Sequence, residues 1–500
     1  MEKDAAPAGL SNDLKRKVAG AALWTVAARW IHRLLGMVSI VVLARLLEPK
    51  DFGLVAMAQV FSTIISAFTQ LELNVALIRL KSIDTDYLST AWTLGLIAGV
   101  LASLAILAVA WPAASYYEDG RIGFILVLFA LLPTVSALRS PRMVFYAKHF
   151  QFDRSFYFST SVRVVTVALT VALAFQFRDY RALVYGSLAG VVVSATASYF
   201  VMPWRPRLSL RRRKELWGIS GWLLARNIAS VARARMEPLL LGPAFGAERI
   251  SFYHIGSEVG RMFTTALAQP LGKALLPAYA VAQGDRARTE RGVLLGLAGI
   301  TIVLPLGFGA AALSEELLVL VFGEKWLPAA PIFELIAMAA AIAALGSAFG
   351  SSILVRGDVK QLAFGNIAAL AAIVLFVLAA RPYDSLTVIA AGRGAIMVAL
   401  FAYFFALGFR DLPDARVTAI GIIMRPLLAA LLMYGCIVAA KSFVTLSPLL
   451  ALAAYPVPGA AVFLVSLFVL WWVSGRPQGL ETLLLAALDR ARVLRLPTGS

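Results

Sequence analysis

WTVAARWIHRLLGMVSIVVLARLLEPKDFGL (Trp24–Leu54) and WLLARNIASVARARMEPLLLGPAFGAERISF (Trp222–Phe252) are two spellings of one pattern. At an offset of about 198 residues, Trp24 falls on Trp222, Pro49 on Ala247, Phe52 on Ile250 and Leu54 on Phe252. Each copy is an apolar stretch, a turn and a second apolar stretch. The first runs from Gly20 to Leu80 and the second from Gly218 to Ala280. Both carry arginines where side chains should face lipid: Arg29 and Arg33 in the first, Arg226, Arg233 and Arg235 in the second. A duplicated membrane unit is a common build for a transporter. Charge at membrane depth is costly, so it marks a pathway or a partner. Together these features point to movement of something anionic.

The rest of the chain has the same character. It is 500 residues long and 60% hydrophobic, far beyond what a water-soluble domain uses. Apolar runs of about 20 residues, enough to cross a bilayer, recur about fourteen times. They lie near Val18–Leu46, Phe52–Leu80, Tyr87–Pro112, Ile122–Ala137, Phe156–Phe175 and Arg181–Met202 in the first half. The second half gives Leu216–Leu241, Ile250–Ala280, Gly292–Leu313, Pro331–Val355, Gln361–Ala380, Leu386–Leu407, Ile420–Ala440 and Leu449–Val473. Phe52–Leu80 and Ile250–Ala280 are longer than a crossing needs, so tilt or extension past the membrane is expected. The first seventeen residues are polar and of mixed charge, with no cleavage site after a short apolar core, so the first span is expected to be retained. The fold class is all-α integral membrane protein.

Charge and reactive residues exclude several functions. Cys436 is the only cysteine, and His32, His149 and His254 are far apart, so no disulfide, metal site or His-based catalytic centre is expected. No Gly-rich loop ends in Lys-Ser/Thr, so neither direct ATP use nor any other cofactor is expected. A net charge of +18 would suggest nucleic acid in a soluble protein. Here topology explains it. With both termini cytoplasmic, about 27 Lys/Arg fall on the cytoplasmic side and about 8 on the other. The densest cluster, Arg205–Lys214, follows Pro203 and includes Pro206. It reads as a positive-inside stop that attracts anionic headgroups, or as a landing site for a phosphorylated lipid.

The charges inside spans need a separate account. Arg29 and Arg33, four apart, share a helical face, and Arg226, Arg233 and Glu237 share another at seven-then-four spacing. Glu258 and Arg261 are three apart and can meet. Glu72, Arg163, Lys273, Glu334 and Arg393 complete the set; Arg45 and Lys273 sit where a long side chain can snorkel to the headgroups. For Arg29, Arg33, Arg226 and Arg233 two readings stand: they line a central aqueous cavity, or they pair structurally. An arginine-lined cavity suits phosphate, whose oxygens match the guanidinium fork, and poorly suits a lipophilic cation. Glu237, Glu258, Arg261 and Glu72 are candidates for coupling or pairing.

The segment Leu43-Ala44-Arg45-Leu46-Leu47-Glu48-Pro49-Lys50-Asp51-Phe52-Gly53 resembles the first-loop signature of polysaccharide exporters. These are the oligosaccharide flippases of the multidrug/oligosaccharidyl-lipid/polysaccharide superfamily. Phe322-Gly323-Glu324-Lys325-Trp326, followed by Pro328 and an apolar run, resembles their later outer-loop motif. Read on their own chemistry, these are turn residues: Pro49 ends a helix, Lys50 and Asp51 stay in water, and Gly53 allows close approach at the restart. The second copy departs from the family pattern, with Glu237 where an aspartate is usual and Ser251-Phe252-Tyr253 where a glycine usually precedes the tyrosine.

The resemblance implies two pseudo-symmetric six-helix lobes with a cavity between them, plus two C-terminal helices. The chain then divides into a cytoplasmic segment (1–17), an N-terminal lobe (18–204), a basic linker (205–215), a C-terminal lobe (216–415), two further helices (416–475) and a cytoplasmic tail (476–500). It implies alternating access in a bacterial inner membrane, a sugar-diphosphate head group in the cavity and a polyprenyl tail in lipid. The expected partners are lipid-linked oligosaccharide and membrane lipids, with polysaccharide polymerase and export machinery alongside, and no nucleic acid. The amphipathic tail at Leu480–Leu488 is expected to lie on the inner membrane surface or to be a solvated helix. A cation antiporter of the same superfamily and a membrane polymerase or glycosyltransferase are the alternatives. The first would want acidic residues in the N-terminal lobe, and the second large outer loops carrying catalytic groups.

Overall fold

Long apolar runs in a chain without strand alternation become helices. The computed structural model describes residues 12–69, 73–80, 82–149, 151–282, 285–355, 358–444 and 446–493, and among them there is no strand. The chain divides into two compact units, one ending at Glu248 and the other beginning at Arg249.

The first unit holds α1 (Asn12–Leu46), α2 (Pro49–Thr69), α3 (Leu73–Arg79), α4 (Thr85–Tyr116), α5 (Gly120–Phe129), α6 (Leu131–Ala137), α7 (Val144–Lys148), α8 (Phe152–Phe177) and α9 (Arg181–Val201). A long helix, α10 (Arg213–Ala282), runs across the boundary. The second unit contains α11 (Arg286–Ile300), α12 (Val303–Ala312), α13 (Ser314–Phe322), α14 (Ala330–Ala344), α15 (Gly346–Val355) and α16 (Val359–Ala380). It continues through α17 (Leu386–Gly408), α18 (Ala415–Phe443), α19 (Pro448–Ala454), α20 (Pro456–Val473) and α21 (Leu480–Val493). Local chemistry sets several starts. Asp84, Asp119, Asp285 and Ser385 each accept a backbone N–H of the following first turn and so cap α4, α5, α11 and α17.

The repeated pattern survives in the backbone. In the first copy helix stops at Leu46 and restarts at Pro49. In the second, α10 is broken at Gly246, where φ is +72°, a conformation that glycine adopts without a Cβ clash. Under the repeat offset Gly246 corresponds to Glu48, so both turns fall at the same place. Gly53 matters here as well. A Cβ on it would stand 1.7 Å from the Ala247 carbonyl oxygen, so the restart of the first copy packs backbone-to-backbone on the turn of the second.

Eleven helices among the described residues are long and apolar enough to cross a membrane. The expected second, seventh and eighth crossings lie outside that set, in α2–α3 and in the two arms of α10. Of Phe52–Leu80 the structure describes α2, to Thr69, and α3, from Leu73; residues 70–72 lie outside the described residues. Large apolar side chains such as Trp111, Phe200, Phe364 and Phe443 are exposed, which only a hydrocarbon solvent tolerates at this frequency. Helices meet through small residues. Gly186 and Gly190 of α9 seat Thr170 and Thr166 of α8, and Gly256 and Gly260 of α10 lie against the Ala329 and Phe333 carbonyls. Both pairs have the four-residue spacing that lets backbones approach in lipid.

In the second unit, Phe349, Phe405 and Phe409 pack edge-to-face, and α18 crosses close to α12 and α20 in one apolar core. The outer-loop motif is a packing device. Gly323 takes φ +100°, and Trp326, fully buried, lies edge-on to Phe252 at 6.0 Å.

Two expectations are corrected. Lys50 is exposed, but Asp51 is buried, at 3% exposure. Its carboxylate accepts the Glu48 N–H at 3.1 Å and a backbone N–H from Tyr180, while burial pushes its pKa above the ordinary carboxylate value. Asp51 therefore caps α2 and ties its first turn to the loop before α9. The tail helix α21 is neither solvated throughout nor merely surface-bound. Its first turn is buried, and Glu481, fully buried, accepts the Arg425 guanidinium of α18 at 2.8 Å.

Candidate functional site

Four polar residues recur on α2 at Gln59, Ser62, Thr63 and Ser66. Spacings of three, four and seven place them on one helical face, amid a run of Val, Ala, Phe and Ile that would otherwise face lipid or core. That stripe forms one wall of a cavity of about 780 Å³ within the first unit. Leu73, Leu77 and Ile78 of α3 adjoin it, and Ala91, Trp92, Gly95 and Gly99 of α4 form another wall. α6 closes in because Gly99 lacks a side chain: a Cβ there would meet the Pro133 carbonyl oxygen at 2.8 Å. Ser136 and Arg139 continue the lining, and Ser187 and Val191 of α9 complete it.

The polar groups differ in how they are used. Ser187 donates to the Val184 carbonyl of its own helix at 2.7 Å. Gln59, Ser62 and Thr63 make no hydrogen bond to the protein among the described residues, although Ser62 is only 6% exposed. Among the described residues, Arg139 is the only charged side chain in the lining. It is exposed by accessible surface, yet protein nearby partly desolvates it. That desolvation pulls its guanidinium below the ordinary arginine value. Its charged end lies 5.1 Å from the centre of the Phe158 ring, a cation–π contact.

Beyond Arg139 the cavity reaches a basic collar. The segment after α6 is fixed to the end of α9: the Ser140 N–H donates to Ser198 Oγ at 2.9 Å, Ser140 Oγ to the Met202 carbonyl at 2.9 Å, and Arg142 to the Pro203 carbonyl at 2.7 Å. Lys148 donates to the Leu80 carbonyl at 2.7 Å. The basic linker is held against α4, because the Ser209 and Arg212 N–H groups donate to Thr93 and Thr90 hydroxyls at 3.0 and 3.4 Å. Arg211 pairs with Asp86 at 3.5 Å, and Arg212 with Glu215 at 3.0 Å while lying over the Tyr87 ring. These pairs are exposed and individually worth little. The serine and threonine contacts fix the path of the linker.

Of the charges singled out by sequence, the described ones do not line this cavity. Arg29 is exposed and Arg33 half-buried on α1, and neither lines the cavity. That face of α1 meets α8: the Arg163 guanidinium comes up to Gly36, and His32 lies 3.4 Å from the Thr160 hydroxyl. Arg226 and Arg233 belong to α10, with side chains outside the described residues, and Glu72 also falls outside them. Glu237 is buried in α10. Glu258 and Arg261 do meet, at 2.9 Å. Glu334 accepts the Tyr434 hydroxyl, and Arg393 donates to the Tyr253 hydroxyl at 3.4 Å. Among the described residues no three His, Cys, Asp or Glu side chains gather as metal ligands.

A sequence reading weighted toward charge misses the α2 stripe, Arg139, the Arg425–Glu481 pair and the Lys441–Glu316 pair at 2.8 Å. The signal for the stripe was its helical spacing. Arg425 left only one trace, a lone cation beside Pro426 in an apolar run.

A family model described as "Polysaccharide biosynthesis protein" matches residues 42–331, more than half of the chain. The chain is 24% identical over 352 residues to the lipopolysaccharide biosynthesis protein WzxC of Escherichia coli (strain K12), covering 69% of this chain and 71% of that protein. It is 22% identical over 353 residues to an uncharacterized membrane protein in the cps region of Klebsiella pneumoniae, covering 69% and 73%. The succinoglycan biosynthesis transport protein ExoT of Rhizobium meliloti (strain 1021) is 21% identical over 322 residues, covering 64% and 65%. Among solved structures, the lipid II flippase MurJ in an inward closed conformation aligns with a TM-score of 0.70 at 13% identity, over 91% of this chain and all of that one. An inward-facing multidrug resistance MATE family transporter of the MOP superfamily aligns at 0.56 and 13%, over 77% and 96%. At such identity the structural likeness speaks for the fold. The chain belongs to the polysaccharide biosynthesis protein family and is a multi-pass membrane protein with a fold like that of these two structures.

Proposed function

We propose that this membrane protein flips polyprenyl-diphosphate-linked oligosaccharide repeat units across the bacterial inner membrane, by alternating access, for cell-surface polysaccharide synthesis. The observation that carries the proposal is the cavity of about 780 Å³, with the polar stripe of α2 along one wall, inside a unit whose outer surface is apolar. A hydrophilic head group needs such a wetted compartment to cross hydrocarbon, whereas a polyprenyl chain can stay in lipid. The names of the relatives, which concern polysaccharide synthesis and transport, support the same reading.

The basic collar and linker face the cytoplasm in this account, following the positive-inside rule, and both termini lie there. Arg29 and Arg33 on α1, with Arg226 and Arg233 on α10, meet the diphosphate when substrate is bound. Glu237 and Glu72 act in coupling or pairing, and the Glu258–Arg261 pair in the same role. The chain works as two lobes, 18–204 and 216–415, with the last two spans and the tail accessory to them. Energy comes from an ion gradient or from consumption of the product outside by a polymerase.

The test is deletion of the gene followed by analysis of lipid-linked sugars on each leaflet. Complete repeat units should accumulate on the cytoplasmic leaflet. Unpolymerised units outside would mark a polymerase instead, and no accumulation would refute the assignment.

A further inference from the structure

We infer that the stripe Gln59–Ser62–Thr63–Ser66 on α2 binds the hydroxyl-rich glycan of the substrate. The inference rests on the flippase reading and specifies which part of the cargo this cavity holds.

The stripe covers about 10 Å along α2 at the ordinary helical rise, a span suited to a short oligosaccharide. Each side chain can both donate and accept, as a sugar hydroxyl does. Serine and threonine in membrane helices usually donate back to their own helix, as Thr166, Thr170 and Thr196 do here at 2.7–2.8 Å. Ser62 and Thr63 do not, and neither does the Gln59 amide find a protein partner among the described residues. Ser62 is more than nine-tenths buried, lines the cavity, and its hydroxyl is not among the buried atoms sealed off from solvent without a partner. A polar group left in that state looks to a ligand or to water for its hydrogen bonds. Across the space, Trp92 offers an aromatic wall against which the apolar faces of a sugar ring can lie. Arg139, at the collar end, is the one charge in the lining among the described residues.

The experiment uses the full chain in inside-out membrane vesicles. The native cysteine is removed by Cys436→Ala, and Ala137→Cys or, in a second protein, Val191→Cys, both lining the cavity outside the stripe, supplies a reporter for a membrane-impermeant maleimide. Three probes are added in turn: the lipid-linked oligosaccharide fraction from a strain lacking the gene, polyprenyl diphosphate without sugar, and inorganic pyrophosphate. The sugar-bearing lipid should slow labelling, by about tenfold at about ten times its Kd, and the two sugar-free probes should leave the rate unchanged. Equal protection by polyprenyl diphosphate or pyrophosphate would assign the cavity to the diphosphate and overturn the inference. Absence of protection at both reporters, in proteins that still restore export, would overturn it too. If the deletion strain accumulates no lipid-linked oligosaccharide at all, the flippase reading fails and this inference falls with it. The two failures are thereby distinguishable.

Discussion

The Arg425–Glu481 pair gives a prediction whose size follows from burial. Arg425 is 7% exposed and Glu481 fully buried. The guanidinium donates to Glu481 at 2.8 Å through Nε and also to the Gln478 carbonyl at 3.2 Å. Two charges removed from water attract strongly, but that gain is largely offset by the cost of dehydrating both. Removing one partner leaves the other charge buried alone, which costs about 3–5 kcal/mol, whereas replacing both with apolar residues of similar volume is near neutral or stabilising. Glu481→Leu and Arg425→Met should therefore each release α21, and the double variant should restore its docking. Hydrogen exchange of α21 amides, in detergent-purified protein, reports that local opening. A loss of 3–5 kcal/mol accelerates exchange by roughly 150- to 5,000-fold at about 1.4 kcal/mol per decade. The double variant should fall within about tenfold of the wild type. If both single variants kept full protection, or if the double variant exchanged as fast as the singles, the tail would be held by its apolar contacts and the ion-pair reasoning would be wrong.

Three further outcomes follow from the same packing. Gly53→Ala forces the turn of the second copy away by about 1.5 Å and should cost about 1–3 kcal/mol, read as a lower thermal midpoint; an unchanged midpoint would mean that the Gly53–Ala247 approach is not tight. Asp51 has a folded pKa raised by burial, so the native state holds the proton more tightly than the unfolded chain, and stability rises as pH falls through that folded value. Asp51→Asn should abolish this pH dependence and keep the cap, while Asp51→Ala should lose about 1 kcal/mol for each hydrogen bond removed; a pH dependence unchanged in Asp51→Asn would assign it to another group. Trp326→Ala empties a fully buried site and should cost about 3–5 kcal/mol, seen in thermal unfolding of purified protein; a shift as small as that of a surface substitution would contradict the packing role.

What the sequence showed and what it hid divide along the range of the interactions. Turn chemistry and apolar length are local, so the matched breaks at Leu47–Glu48 and Gly246, the close approach at Gly53 and the all-helical membrane fold were all readable. Asp51 read as a wet loop residue because its N–H donors, Glu48 and Tyr180, converge only after folding. Glu481 read as one polar residue of an amphipathic tail because its partner lies 56 positions away. The α2 stripe was present in the spacing of Gln59, Ser62, Thr63 and Ser66. Hydroxyls in a membrane helix usually satisfy themselves, and only the structure shows that Ser62 and Thr63 do not.

The most direct test of the account is transport by the purified protein in proteoliposomes, loaded with the lipid-linked oligosaccharide that a gene-deletion strain accumulates. Wild-type protein should carry the sugar head group to the opposite leaflet, where an added glycosidase removes it. The Gln59→Leu/Ser62→Ala/Thr63→Val variant, inserted to the same level, should not. Equal transport by the two proteins would contradict a glycan path along α2, and no transport by the wild type would contradict the flippase itself.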